Sequence, residues 1–311
     1  MNEQEALREM VAPGDKRPGK WRQGVIQIHV TRACDRACYA CTQASNLAGS
    51  VPMITLENFE IAVKSLAGYF GVVGIFGGNP ALHPKFPELC EIFRQHIPYP
   101  QRGLWCNHPK GHGRVMRETF NPRISNLNVH QSMEAYLEFR RDWPECQPVG
   151  LKEDSRHSPV LVSMIDMNVP EATRWRLISN CDINQHWSAL IGQFRGKPRA
   201  WFCEIAGAQA MLHQNHADYP DTGIYPEPEW WRRPMQDFAD QVRHHCHRCG
   251  VPLRGHGQLA NAVDEDEQTT VTYLPVFKPK RPGRKVQCVA TADQLGVPLD
   301  STVDYLGNSN R

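Results

Sequence analysis

Val25-Ile26-Gln27-Ile28-His29-Val30 and, a few residues on, Cys34-Asp35-Arg36-Ala37-Cys38-Tyr39-Ala40-Cys41 form the stretch that decides the fold. The first run is apolar and β-rich, the pattern of a buried strand. The second is a cysteine loop with the spacing C-x3-C-x2-C. That spacing offers three thiolates to a cubane iron–sulfur cluster and leaves the fourth iron without a protein ligand. Clusters that only carry electrons normally take four cysteines, whereas an open iron can bind a substrate or cofactor. The blander readings are three cysteines packed in a core, or a zinc site. Zinc ligands usually come as a C-x2-C pair with a second pair elsewhere, and C-x3-C-x2-C fits that poorly.

A strand followed by this loop resembles the signature of the radical S-adenosylmethionine (SAM) enzymes. The resemblance implies an open iron chelated by the amino and carboxylate groups of SAM. One electron from the cluster then cleaves a carbon–sulfur bond, and a 5′-deoxyadenosyl radical takes a hydrogen atom from the substrate. The cofactor carries the hard chemistry, and the protein orients and shields it. The resemblance covers roughly residues 21–260.

Phe76-Gly77-Gly78-Asn79-Pro80 looks like the family's Gly-Gly-Glu-Pro motif, whose backbone and side chain contact the amino group of SAM. Glycines suit a place where backbone approaches a ligand closely. Asn79 replaces the usual Glu, keeping an acceptor and losing a charge; the run is also good turn sequence. Relatives place an aromatic residue just before the last cluster cysteine. Here Ala40 stands there and Tyr39 sits one earlier, as the candidate on the adenine side. Asn107, Asn128, His130 and Ser132, at the ends of the third and fourth candidate strands, are candidate ribose or carboxylate contacts. His130 is equally the candidate to face substrate, and a structural role is the alternative for each.

Composition sets the bounds. The chain has 311 residues, 41% of them hydrophobic, enough for a sizeable core, and a formal net charge of +2, which favours neither nucleic acid nor a membrane surface. The first residues lack a signal peptide's apolar stretch, and no run nears the roughly 18 apolar residues of a membrane span. A cytoplasmic protein without membrane contact is expected. Eleven cysteines then call for metal or cluster ligation, since structural disulfides are rare in that compartment.

Residues 1–20 read as a short disordered leader. Residues 21–180 alternate strand and helix: strands at Val25–Val30, Val72–Phe76, Arg102–Cys106, Leu127–His130 and Val160–Asp166. Helices are expected from Thr55, a plausible N-cap, to about Tyr69, and at Phe86–Ile97, Gly113–Phe120, Ser132–Arg141 and Pro170–Ser179. Such alternation implies βαβ units and a parallel sheet. About five units are visible, fewer than the eight of a complete barrel. The fold class expected is α/β: a partial, open parallel β/α barrel of the radical SAM type with a small C-terminal, cysteine-rich, twitch-like appendage. Active sites in such sheets lie at the strands' C-terminal edge, where the Cys34–Cys41 loop falls. Residues 181–260 form the appendage, with two short strands expected in Arg199–Met211 around Gly207 and a helix at Trp230–His245. Residues 261–311 read as a charged, Pro-containing tail, whose basic run through Lys285 either touches phosphate or is simply solvated.

Within the appendage, Cys181-x21-Cys203-x42-Cys246-x2-Cys249 supplies four thiolates, a complete set for a second cubane with no open site. The pattern is similar to the twitch appendage of certain radical SAM enzymes, in spacing most like a member that oxidises an aminocyclitol alcohol. The alternatives are half of a zinc site at Cys246 and Cys249 with His244 and His245, and a Cys203 that is merely buried. The reading that results is an oxidoreductase-type radical SAM enzyme acting on a small polar substrate such as a sugar, cyclitol or nucleoside. The second [4Fe-4S] cluster would accept an electron, and a flavodoxin or ferredoxin would be the reductant. Alternatives are modification of a peptide, or of a nucleobase in a nucleic acid, and a non-enzymatic iron–sulfur or zinc carrier or regulator.

Overall fold

The computed structural model describes residues 1–16, 24–38, 41–47, 51–152, 156–157, 163–165, 169–252 and 258–259. Order begins at residue 2, contrary to the expectation of a disordered leader over 1–20. Helix α1 (Glu3–Glu9) opens with a capping box: Asn2 Oδ1 accepts from Glu5 N–H at 3.0 Å and Asn2 N–H donates to Glu5 Oε2 at 2.9 Å. This reciprocal cap satisfies two orphan donors, and Ala6 and Leu7 are buried. A run rich in Glu and Arg looked solvated because only one narrow face of this short helix is apolar.

Strand β1 (Val25–Thr31) is followed by α2 (Leu56–Lys64), β2 (Val72–Gly77), α3 (Phe86–His96) and β3 (Arg102–Leu104). β1 pairs with β2 and β2 with β3, all parallel, giving the two βαβ units the alternation predicted. Thr55 does cap α2, its hydroxyl accepting from Asn58 N–H at 3.1 Å. Helices α4 (Gly113–Thr119) and α5 (Met133–Asp142) come next. The expected strand at Leu127–His130 is reduced to single parallel bridges, Trp105 to Asn126 and Asn128 to Val149, which carry the sheet's curl onward from β3. Of the strand expected at 160–166, Ser163–Ile165 are turn and coil, and the rest lies outside the described residues.

A two-residue strand β4 (Arg156–His157) precedes α6 (Glu171–Ser179), α7 (Asp182–His186), β5 (Ser188–Phe194), β6 (Lys197–Trp201) and α8 (Glu204–Leu212). β5 lies parallel to β1 on its free side and β6 antiparallel to β5, so the sheet order is β3-β2-β1-β5-β6. The second strand expected around Gly207 is instead helical. All nine residues of α8 are buried, so it has no polar face to betray its period. Gly207 is a packing residue rather than a turn: a Cβ there would come within 2.5 Å of Leu190 and 2.9 Å of Trp201. The helix expected at Trp230–His245 shortens to α9 (Ala239–His245) behind two 3₁₀ turns, as Pro234 cannot continue a helix. A last strand, β7 (Gln258–Leu259), pairs antiparallel with β4. The tail at 261–311 lies outside the described residues, and no described helix is long and apolar enough to cross a membrane.

Strand periodicity divides the sheet's environment. Ile26, Ile28, Val73, Ile75 and Leu104 belong to the main core together with Phe59, Leu89, Phe93 and Phe120. Each fully buried side chain of this kind contributes roughly 1.5–3 kcal/mol. The alternate residues Val25, Val72 and Trp105 form a separate small cluster with Phe76 and Trp187 on the other face. Gln27 and His29 alternate in register with Val25 and so share that second face.

Candidate active site

The cysteine loop leaves β1 at Thr31, whose hydroxyl accepts from Ala33 N–H at 3.0 Å. Its base is clamped by the glycines after β2. Gly78 N–H donates to Thr31 O at 2.8 Å and Asn79 N–H to Ala33 O at 2.6 Å. A Cβ on Gly77 would lie 2.2 Å from Thr31 O, and one on Gly78 would lie 2.3 Å from Ala33 O. The close approach that requires glycine here is therefore to the chain's own cysteine loop. The far side of the loop hangs on Arg32, which is buried and donates to Ala44 O at 2.6 Å and Leu47 O at 3.2 Å. Burial lowers the Arg32 guanidinium to about 10, and the neighbouring Cys41 opposes the shift.

Cys34, Cys38 and Cys41 are half-buried and line one cavity of about 730 Å³, a size suited to small-molecule ligands. Along its rim come the residues that follow successive strands: Gly77 and Gly78, Asn107, Asn126, Asn128 with His130, and Gly150. The cavity thus sits at the strands' C-terminal edge and runs down the inner face past Gln27, Trp105 and Trp187 to Glu204, Ile205 and Val251.

Several buried polar atoms on this wall have no partner among the described residues: both amide atoms of Gln27, Trp105 Nε1, Asn107 Oδ1 and Arg36 Nε. Gln27 is fully buried, so its amide is costly unless a ligand satisfies it. Asn107 Nδ2 reaches Cys34 Sγ and Asp35 Oδ1, both at 3.4 Å. Asp35 pairs with Lys110 at 2.8 Å; burial alone would raise its carboxyl, but the Lys110 bond and charge prevail and hold it low. At the far end Ser188 Oγ donates to Glu204 Oε2. Burial pushes the Glu204 carboxyl up to about 7 against that bond.

The structure sorts the sequence candidates. Gly77, Gly78, Asn107, Asn128 and His130 all line the cavity. Asn79 does not: its Oδ1 accepts from Ala81 N–H at 3.2 Å and from the Cys106 thiol at 3.1 Å, and its Nδ2 donates to His108 O at 3.1 Å. With Pro80 it shapes a 3₁₀ turn. Ser132 is the N-cap of α5, accepting from Ala135 N–H at 3.2 Å. Asn128 Oδ1 is shared with His130 N–H at 3.1 Å. Tyr39 and Ala40 lie outside the described residues. Gln27 was missed, although its signal was present as the one amide in an apolar strand. Trp105, Arg36 and Glu204 gave none.

The four later cysteines also meet. Cys181, Cys203, Cys246 and Cys249 line one pocket with Met10, Ile178, Phe202, Ile205 and Val251. Burial pushes the Cys203 thiol up to about 12 and those of Cys246 and Cys249 well above the ordinary range. Thiols so disfavoured as anions ionise only against a strong positive charge, such as bound metal. Gln209 Nε2, buried and without a partner among the described residues, lies on the same pocket. An orphaned donor beside four thiols fits a cluster whose sulfides accept hydrogen bonds. The zinc alternative fares worse, because its two candidate histidines are engaged elsewhere. The ring nitrogens of His245 face Thr222 Oγ1 at 2.9 Å and Gln209 Oε1 at 3.1 Å, and His244 stacks edge-on against Tyr219.

No family model and no curated protein matches the chain. Among solved structures it is similar to BtrN in complex with AdoMet and 2-DOIA: 14% identity, 72% of this chain and 92% of that chain covered, TM-score 0.42. BtrN in an open conformation gives 12% identity, 77% and 91% coverage, and a TM-score of 0.37. Likeness at that level carries no weight for activity, so the chemistry must come from the residues.

Proposed function

We propose that this chain is a radical SAM enzyme that removes a hydrogen atom from a small polar substrate, of the sugar, cyclitol or nucleoside kind, and completes a net oxidation. One observation carries the reading: a single cavity has the three-cysteine loop at one end and, at the other, Glu204, Ile205 and Val251 beside the four-cysteine pocket. Cys34, Cys38 and Cys41 would hold an open [4Fe-4S] cluster, and Cys181, Cys203, Cys246 and Cys249 a closed one. When bound, these groups supply a SAM-derived hydrogen-abstracting radical at the first site and an electron acceptor at the second.

The remaining work falls to side chains of the cavity. Arg36 brings a cation toward the SAM carboxylate. The Gln27 amide offers one donor and one acceptor to substrate hydroxyls, and Trp105 Nε1 a further donor. Trp105 and Trp187, packed edge to face with centroids 6.4 Å apart, give an apolar floor for the C–H face of a ring. Glu204, its carboxyl pushed up to about 7 by burial, takes the hydroxyl proton that oxidation of an alcohol releases. A flavodoxin or ferredoxin suits the reductant's role.

The test is iron and sulfide analysis with EPR on anaerobically reconstituted protein, with and without SAM. Roughly eight irons, one reduced signal that moves with SAM, and release of 5′-deoxyadenosine are expected. Roughly four irons with bound zinc, or no SAM cleavage by reduced protein, would overturn the reading.

A further inference from the structure

Lys16 belongs to the N-terminal segment that was expected to be disordered, yet it is only 5% exposed. Its ammonium donates to Asn184 O at 2.8 Å and Ile183 O at 3.2 Å, and both of those residues line the four-cysteine pocket. The segment is latched to the same place at a second point. Val11 N–H donates to Asn184 Oδ1 at 2.9 Å, and Asn184 Nδ2 donates back to Val11 O at 3.0 Å. Met10, one residue earlier, forms part of the pocket wall.

Among the described residues no carboxylate pairs with this lysine at salt-bridge distance. Within electrostatic reach of the ammonium are the thiols of Cys203, Cys181 and Cys246 and the Glu204 carboxyl. A buried ammonium with no counter-ion in direct contact is strongly disfavoured. Backbone carbonyls offset only part of that cost, so the site is built for an anion. A four-thiolate cubane is an anion, and reduction makes it more negative. A cation fixed beside it therefore stabilises the reduced form more than the oxidised one, and cluster potentials follow the local charge.

We propose that Lys16 is the fixed counter-cation of the four-cysteine centre and raises its reduction potential, making that centre a better electron acceptor. The inference rests on the closed-cluster reading of that pocket. It gives the N-terminal segment a part in the chemistry: residues far from the cysteines in sequence set how readily the oxidation ends.

The experiment is an EPR-monitored redox titration of reconstituted wild type, K16M, K16Q and K16R, with iron content measured for each. The closed cluster's midpoint should move to more negative potential in K16M and K16Q and stay near wild type in K16R. The open cluster's midpoint should not move. Two loaded clusters with an unmoved midpoint in K16M and K16Q would overturn the proposal alone, as would an equal shift in K16R. If the neutral variants lose the closed cluster, its retention in K16R supports the counter-cation. Its loss in all three reduces Lys16 to packing. A wild type holding only roughly four irons overturns the closed-cluster reading, and this proposal with it.

Discussion

The two cysteine sets are built to opposite specifications. Cys34, Cys38 and Cys41 sit half-exposed on a wide, polar-walled cavity, on a loop held by backbone hydrogen bonds to Gly78 and Asn79 and by Arg32. Cys203 and Cys249 are buried, and the whole set of four lies among Met10, Phe202 and Ile205, with thiols driven up by desolvation. The first arrangement leaves room for a ligand beside the thiols. The second packs its thiols among apolar side chains in a far smaller space. Position along the strands accounts for the contrast: one set follows the open C-terminal edge of the sheet, the other is roofed by α8 and the N-terminal segment.

The sharpest way to break the comparison is Cys38→Ala, which should reduce 5′-deoxyadenosine formation to background. Cys249→Ala should lower the iron content from roughly eight to roughly four, keep measurable SAM cleavage and end product formation. Equal, complete loss of cleavage in both variants would erase the distinction between an open and a closed site.

Glu204, at the border of the two regions, gives the next effect. Its folded pKa of about 7 is raised above the ordinary 4.5, so its contribution to stability is present below pH 4.5 and is lost as the pH rises through 7. The loss is on the order of 3 kcal/mol. Thermal melts between pH 4 and 8 should show wild type declining more steeply than Glu204→Gln, and parallel curves would refute the assignment. Product formation should rise through the same interval in wild type and lack that limb in the variant.

Gly78→Ala is expected to have the smallest effect. The added Cβ meets Ala33 O at 2.3 Å, so a stability loss of roughly 1–3 kcal/mol is expected. The SAM-dependent EPR change should weaken, and the closed cluster's signal should be intact. A variant with unchanged SAM response would show that the clamp on the cysteine loop is not what shapes the open site.

The sequence made the parallel sheet legible because β1 and β2 are apolar runs ending at cysteine and glycine loops, and because α3 has one clean apolar face. It did not disclose α8, where burial on every side removes the periodicity that marks a helix. The two cysteine groupings were readable from their spacing, and each lines one cavity of the structure. Asn79 and Ser132 were not, because an amide or hydroxyl that shapes a turn or caps a helix is the same letter as one that holds a ligand. Lys16 was beyond reach for another reason: its partners stand 167 and 168 residues away, and no local pattern encodes such a pairing.

The register of β1 against β5 and β6 has one more consequence. Thr31 leads into the first cysteine loop at one end of β1. Trp201, two residues before Cys203, lies opposite Leu190, which lies opposite Gln27 near the other end. The separation of the two cysteine sets is therefore written in the residue count of one central strand, at about 3.3 Å per residue. Such a span can change only in steps of two residues, because a single-residue step would turn Gln27 out of the cavity and a neighbouring isoleucine into it.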